Sequence, residues 1–186
     1  MAQGTEAGGH GGSRATLPLV PAVVDAVAPV PVVAAGGIAD GRGLAAALML
    51  GAAGAMIGTR FHATEESIGH DRAKARIVAA QGNETQRTRI FDIARQHAWP
   101  QPWTGRALYN HFLERWQGRE AELEAAMERE GPAFQAAQKA GDFDTVMVWA
   151  GEAVDLVDGV EPAGASLRRI GAEAEVRLRA AAALLG

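Results

Sequence analysis

Two short apolar runs, each followed by a glycine-containing turn, limit the folds open to this chain more than any other feature. The first run covers residues 30–35 and precedes Gly36-Gly37, and the second covers residues 52–57 and precedes Gly58-Thr59. Continuous apolar runs of strand length are typical of parallel strands that are buried on both faces. The segment between the two runs has the composition of a helix. The pattern therefore predicts a parallel βαβ unit and, with it, an α/β fold.

The turns of this unit suggest an anion site. Asp40 is a suitable N-cap for the helix, and Gly51 suits the left-handed residue that ends it after Leu50. Glycines at the carboxyl ends of neighbouring parallel strands let backbone N–H groups approach an anion, and the start of the following helix adds its positive end. In eight-stranded α/β barrels the loops after strands 7 and 8 bind phosphate. A dinucleotide fold is disfavoured because residues 36–41 lack the G-x-G-x-x-G spacing. The residues alone fit a phosphate site and a plain βαβ unit about equally well.

The first twelve residues contain five glycines, so they are predicted to form a loop. His10 has two glycines on each side, which leaves its imidazole free to face a ligand or, in a frayed terminus, to face solvent. Residues 17–27 form the next predicted helix, with a proline in the first turn. The order up to residue 61 is thus loop, helix, strand, helix, strand, which indicates a parallel sheet.

The chain after residue 61 is predicted to be mainly helical. His62, Glu66 and His70 have the spacing of one helical face, but Gly69 interrupts that helix and no metal site is predicted. Residues 99–103 form a rigid Trp- and Pro-containing elbow, and the aromatic residues of this half are interpreted as packing groups. Leu167, Ile170, Ala174, Leu178 and Ala181 are predicted to face inward on the last helix, which Pro162 opens. The other predicted elements are helices at 71–80, 106–116, 120–130 and 131–140 and an extended segment at 85–91.

Composition excludes several classes of function. The formal charge of −4 gives no electrostatic basis for binding nucleic acid. The absence of cysteine excludes disulfides, a thiol nucleophile and thiolate-bound clusters. No apolar run is long enough to span a bilayer, and no signal peptide is recognised, so a cytoplasmic protein is the expectation.

Three segments together resemble the nitronate monooxygenases, formerly called 2-nitropropane dioxygenases. They are residues 3–10 (QGTEAGGH), 34–43 (AAGGIADGRG) and 56–61 (MIGTRF), and residues 64–67 and 105–110 are similar to that family too. The resemblance covers most of the chain and corresponds to the carboxyl-terminal portion of the family. The combination is specific, although each segment alone would be weak.

The resemblance implies an FMN-dependent TIM barrel with an added helical region. In that family nitroalkanes or nitronates are oxidised by O₂ to a carbonyl compound and nitrite. His10 resembles the catalytic histidine, and an imidazole is a suitable general base for the acidic C–H of a nitroalkane near neutral pH. A nitronate is already deprotonated, so His10 would then only bind or orient it. Arg60 is either a cofactor residue or a structural one. The positions that resemble flavin-binding ones are Gln3, Gly8, Gly36, Gly37, Met56, Ile57, Gly58 and Thr59.

The resemblance also implies a partial barrel. Family members carry five barrel strands and most of a sixth before the glutamine-glycine loop, and here only two residues precede it. Residues 1–66 would be the carboxyl-terminal part of the FMN-binding barrel, and residues 67–186 a helical covering region. An open sheet of two or three strands exposes its edges. We therefore expect a truncated product or one part of a split enzyme, with low stability and weak FMN binding alone.

Two other functions remain open. One is a flavin-dependent enoyl reductase of fatty-acid synthesis, whose barrel and glycine-histidine loop are similar. The other is a non-catalytic fragment that needs a partner chain to supply the missing strands.

Overall fold

The computed structural model describes residues 1–185 and has a mixed α/β fold. Six short strands form two three-stranded sheets in this range, and no closed barrel is present in it. The strands are β1 (Ala2–Gln3), β2 (Gly9–Gly11), β3 (Val33–Ala35), β4 (Gly54–Met56), β5 (Thr85–Thr88) and β6 (Thr104–Leu108). The helices are α1 (Thr16–Val27), α2 (Gly41–Met49), α3 (Thr59–His62), α4 (Asp71–Ala79), α5 (Ile90–Ala94), α6 (His111–Trp116), α7 (Glu120–Ala125), α8 (Met127–Ala140) and α9 (Ala163–Ala182). None of the described helices combines the length and the apolar character needed to cross a membrane.

The first sheet is parallel, as the βαβ pattern predicts. Its order is β1-β3-β4, with Ala34 between Ala2 and Ala55 in the register. Helices α1 and α2 pack on it through a core that includes Val20 and Ala47. The prediction that its strands are buried on both faces is wrong, because Val33 is 37% exposed and Met56 is 57% exposed.

The second sheet is antiparallel and was not predicted. Its order is β2-β6-β5, and it pairs His10 on β2 with Gly105 on β6. Two predictions fail here: the glycine-rich first residues contain strands β1 and β2, and the first part of the predicted helix at 106–116 is strand β6. The helix begins only at His111, where the Asn110 side chain accepts a hydrogen bond from the Leu113 N–H. Pairing on both edges of β6 outweighs the helical pattern of its side chains.

Helix predictions based on end residues hold better. Asp40 caps α2 by accepting a hydrogen bond from the Gly43 N–H at 3.0 Å, and Gly51 has the expected positive φ of 90°. The predicted break at Gly131-Pro132 is wrong, since α8 continues through both residues. Phe134, 1% exposed, lies in the core behind the antiparallel sheet, and its packing offsets the lost backbone hydrogen bond. Residues 85–91 are extended only as far as Thr88, before α5.

The last helix packs against the parallel sheet's helix layer. Helix α9 lies so close to α2 that a Cβ on Gly41 would overlap the Ala174 backbone nitrogen. Ile170 and Ala174 are buried as predicted, whereas Leu167, predicted to face inward, is 64% exposed. This close approach joins the end of the chain to the βαβ unit.

Candidate active site

One pocket of about 500 Å³ is lined by residues from both sheets. It contains His10 of β2 together with the turns that follow β3 and β4. Ile57 does not line it, and its side chain packs against the hydrophobic core of the parallel sheet. The other residues singled out in the sequence all line this pocket: Gln3, Gly8, His10, Gly36, Gly37, Met56, Gly58 and Thr59.

The glycine turn after β3 requires its glycines. Gly36 has φ 102° and Gly37 has φ 71°, a region that side chains rarely adopt. A Cβ on Gly36 would also lie 3.0 Å from the Ala7 backbone nitrogen. Within residues 1–185, the N–H groups of Gly37 and Gly58 take part in none of the turn, cap or side-chain hydrogen bonds. The pocket wall therefore offers backbone donors that lack a protein partner.

The start of helix α2, expected to add positive potential to this wall, is already neutralised. The Gly41 N–H donates to Glu173 at 3.0 Å, and the Gly43 N–H donates to Asp40 at the same distance. Burial opposes ionisation of Asp40, but the hydrogen bond from Gly43 and the Arg42 guanidinium hold the pKa of this carboxyl below its usual value. The expectation that the α2 N-terminus contributes to an anion site is wrong, because the Asp40 and Glu173 carboxylates already accept its backbone hydrogen bonds.

His10 is fixed by residues that are distant in sequence. Its Nε2 lies 2.9 Å from both carboxylate oxygens of Asp92 on α5. Its ring stacks on Trp99 with centroids 3.9 Å apart, and Trp149 lies 5.3 Å away on a tilted plane. The His10 side chain is 16% exposed and that of Asp92 is 6% exposed. The sequence does not predict Asp92 as a site residue, and its pattern indicates only a packing role for both tryptophans, since no local signal links these residues to His10.

The loop that carries His10 is held by buried polar contacts. Arg87 and Arg106 both donate to the Thr5 carbonyl, at 3.1 and 2.9 Å. Burial and the nearby Arg106 guanidinium lower the pKa of Arg87. Glu6 accepts from the backbone N–H and the hydroxyl of Thr16, and Gln3 donates to the His10 carbonyl at 2.7 Å. These contacts make the loop part of the folded scaffold, in contrast to the frayed terminus considered above.

The two histidines of the 62, 66, 70 stripe have different roles. His62 ends α3 and lines the pocket, whereas His70 caps α4 by accepting a hydrogen bond from the Arg72 N–H. Glu66 accepts from the Ala163 N–H at 2.7 Å. Burial lowers the pKa of His62. Two smaller effects oppose each other: a hydrogen bond with the Trp149 backbone raises this pKa, and the Lys74 charge lowers it.

Arg60 has a structural position. Its side chain is fully buried and does not line the pocket. It donates to the carbonyls of Ala63 and Gly159 and lies 3.6 Å from the Glu161 carboxylate. Burial lowers the pKa of Arg60, while the Glu161 charge acts in the opposite direction. Arg60 thus connects the end of α3 to the segment before α9.

Comparisons with known proteins relate this pocket to a family. Residues 1–170 match the family described as Nitronate monooxygenase. Nitronate monooxygenase npaC of Metarhizium robertsii is 38% identical over 179 aligned positions, covering 89% of this chain and 49% of that protein. The structure of FabK from Thermotoga maritima has a TM-score of 0.82 and 32% identity and covers 98% of this chain and 56% of that one. The structure of nitroalkane oxidase from Streptomyces ansochromogenes has a TM-score of 0.77 and 33% identity, with 96% and 52% covered. The chain spans about half the length of these proteins.

Proposed function

The chain belongs to the nitronate monooxygenase family, and we propose that it is part of an FMN-dependent oxidoreductase that converts nitronates and O₂ to carbonyl compounds and nitrite. The observation that carries this proposal is the meeting of His10 with the two glycine turns around one pocket. The turns come from the parallel sheet and His10 from the antiparallel sheet. Such a pocket combines backbone groups that can bind an anion with an imidazole that can accept or donate a proton.

The residues of the pocket fit FMN. Its volume of about 500 Å³ is in the range of small-molecule sites. Gly37 and Gly58 would donate backbone N–H groups to the phosphate, and Gly36 leaves no room for a side chain beside them. Gln3, Gly8, Met56 and Thr59 would complete the flavin site from the same walls. We also propose that Ile57 contributes its backbone to the flavin site, because its side chain packs against the core.

His10 would act on the substrate. With a neutral nitroalkane, its imidazole would remove the acidic proton next to the nitro group, and with a nitronate it would orient the anion. Bound FMN would supply the redox chemistry with O₂. Trp99 and Trp149 pack around the imidazole and limit the access of water to it.

The sheet edges fit a partial barrel. We assign residues 1–66 to the last part of an FMN-binding barrel, with β1, β3 and β4 as its strands, and residues 67–186 to the covering region. Val33 and Met56 are partly exposed apolar residues of this sheet. A polypeptide that supplies further strands would cover them and remove the open edges.

The enoyl reductase alternative is kept for a specific reason. The fold similarity to FabK, with a TM-score of 0.82, is at least as high as the similarity to nitroalkane oxidase, with 0.77. The two reactions differ in the electron donor, which is the nitronate in one case and reduced nicotinamide in the other.

Flavin titration tests the proposal. We expect the purified chain to quench FMN fluorescence, and nitronate, in preference to reduced nicotinamide, to bleach the bound flavin without oxygen. Gly58→Ala should weaken FMN binding, because a Cβ there enters open space beside the proposed phosphate. Gly54→Ala is the matched control, since Gly54 also has open space around it but does not line the pocket. Equal FMN affinities of the two variants, or no FMN binding, would contradict the site. Bleaching of the flavin by reduced nicotinamide but not by nitronate would favour the reductase.

A further inference from the structure

We infer that Asp92 is the positioning residue that sets the tautomer of His10 and stabilises the imidazolium formed when His10 takes a proton. This inference deepens the proposed function, and its catalytic consequence rests on that function. The coupling between the His10 and Asp92 side chains rests on the contact geometry alone. Asp92 itself does not touch substrate, and its effect passes through the imidazole.

The contact decides which ring nitrogen is free. An ionised carboxylate only accepts hydrogen bonds, so Nε2 of His10, at 2.9 Å from both Asp92 oxygens, carries the proton and donates it to Asp92. In the neutral ring the lone pair is then on Nδ1. Among the described residues Nδ1 has no hydrogen-bond partner, and the ring lines the pocket. The acceptor of a substrate proton is therefore Nδ1.

The surroundings of the Asp92 carboxylate also indicate that it stabilises a protonated His10. The Asp92 side chain is 6% exposed, and no lysine or arginine in residues 1–185 lies within ion-pair distance of it. His10 is its one side-chain partner in that part of the chain. When Nδ1 takes a proton, the imidazolium and the buried carboxylate form a charge-assisted hydrogen bond, which is stronger than the neutral one. Asp92 thus favours the protonated product of the step.

The position of Asp92 is well defined by its neighbours. Ile90 and Phe91, which precede it on α5, are both fully buried, and the Asp92 N–H donates to the Arg89 carbonyl at 3.0 Å. Trp99 stacks on the face of the His10 ring and prevents it from tilting away. A carboxylate held by rigid elements on one side and a stacked ring on the other is the arrangement that orients a catalytic histidine.

The tautomer can be read without cofactor or turnover. In the chain labelled with ¹⁵N-histidine, a long-range ¹H–¹⁵N spectrum identifies the protonated ring nitrogen, and the His10 signals are those lost in His10→Gln. We expect the proton on Nε2 in the wild-type chain. In Asp92→Asn the Nε2–H preference should fall, because an amide can accept or donate. A wild-type His10 with its proton on Nδ1, or spectra unchanged by Asp92→Asn, would overturn the inference.

Turnover separates positioning from a merely structural role. Asp92→Asn should lower kcat/KM about 10²-fold or more for a neutral nitroalkane, whose proton His10 must remove, and much less for the preformed nitronate. Asp25→Asn on the exposed face of α1 is the control and should change neither value. Equal losses on both substrates would mean that Asp92 only stabilises the fold. If the wild-type chain, supplied with FMN and with a polypeptide that provides the missing barrel strands, oxidises neither substrate, the proposed function fails, while the NMR result on the chain alone still decides the coupling.

Discussion

The parallel and antiparallel sheets contribute to the same pocket in different ways. The parallel sheet presents backbone, through the turns at Gly36-Gly37 and Gly58, and glycine matters at positions 36 and 37 because both residues have a positive φ. The antiparallel sheet presents a side chain, His10, which contacts Asp92 of helix α5 and Trp99 of the segment before β6. The pocket therefore combines backbone groups, which require turns without side chains, with a histidine, which requires hydrogen-bonding and stacking partners.

The two sheets also differ in how they are packed. Behind the antiparallel sheet, Phe91, Phe112 and Phe134 form an aromatic cluster, with ring centroids 5.1 to 6.4 Å apart. The parallel sheet has smaller core residues and leaves Val33 and Met56 partly exposed. We expect most of the stability of the chain to come from the antiparallel side, since stabilisation increases with buried apolar area.

The largest expected effect tests this difference in packing. Phe91→Ala should lower the free energy of unfolding by about 3–5 kcal/mol, because it leaves a cavity among fully packed aromatic rings. Val33→Ala in the parallel sheet should cost less than about 1 kcal/mol, since Val33 is 37% exposed. Urea denaturation followed by circular dichroism measures both. Similar costs for the two variants would break the comparison.

The second effect tests the need for space on the parallel side. Gly36→Ala should destabilise the chain by about 1–3 kcal/mol, because the residue has φ 102° and its Cβ would meet the Ala7 backbone nitrogen at 3.0 Å. Gly171→Ala is the matched control inside helix α9, where a Cβ meets nothing, and it should stabilise by about 0.4–1 kcal/mol. The two changes are opposite in sign, and thermal unfolding measures both. A neutral Gly36→Ala would show that the turn does not require glycine.

The smallest effect concerns His62, which lines the pocket shared by both sheets. Burial holds its pKa in the folded chain below its ordinary value of 6.5, so the unfolded chain binds more protons below that pH. Its contribution to stability is therefore complete above pH 6.5 and is lost as the pH falls. We expect His62→Gln to reduce the stability difference between pH 7 and pH 6 by less than about 1 kcal/mol.

Chemical denaturation at the two pH values measures this difference. His111→Gln is the control, because the His111 side chain is 83% exposed and should leave the difference unchanged. An undiminished difference in His62→Gln would mean that other groups cause the loss of stability on acidification.

The elements that the sequence predicts well depend on neighbours a few residues apart. The Asp40 cap, the left-handed Gly51 and the chain order α1, β3, α2, β4 are of this kind. Short motifs predict the glycine turns and His10 as site residues, and the fold brings them around one pocket. The helix prediction failed at 106–108, where the side-chain spacing is helical but strand pairing decides the conformation.

By itself, then, the sequence determined the Asp40 cap of α2, its left-handed end at Gly51 and the glycine turns that are free of side chains, because these properties arise from local steric and hydrogen-bonding preferences. Only the tertiary structure decided that β2 pairs with β6, that α2 is capped from α9 by Glu173, and that His10 meets Asp92 across 82 positions of sequence. Such contacts depend on how the whole chain packs, since the partner of a buried polar group is set by what the fold brings beside it and leaves no local pattern.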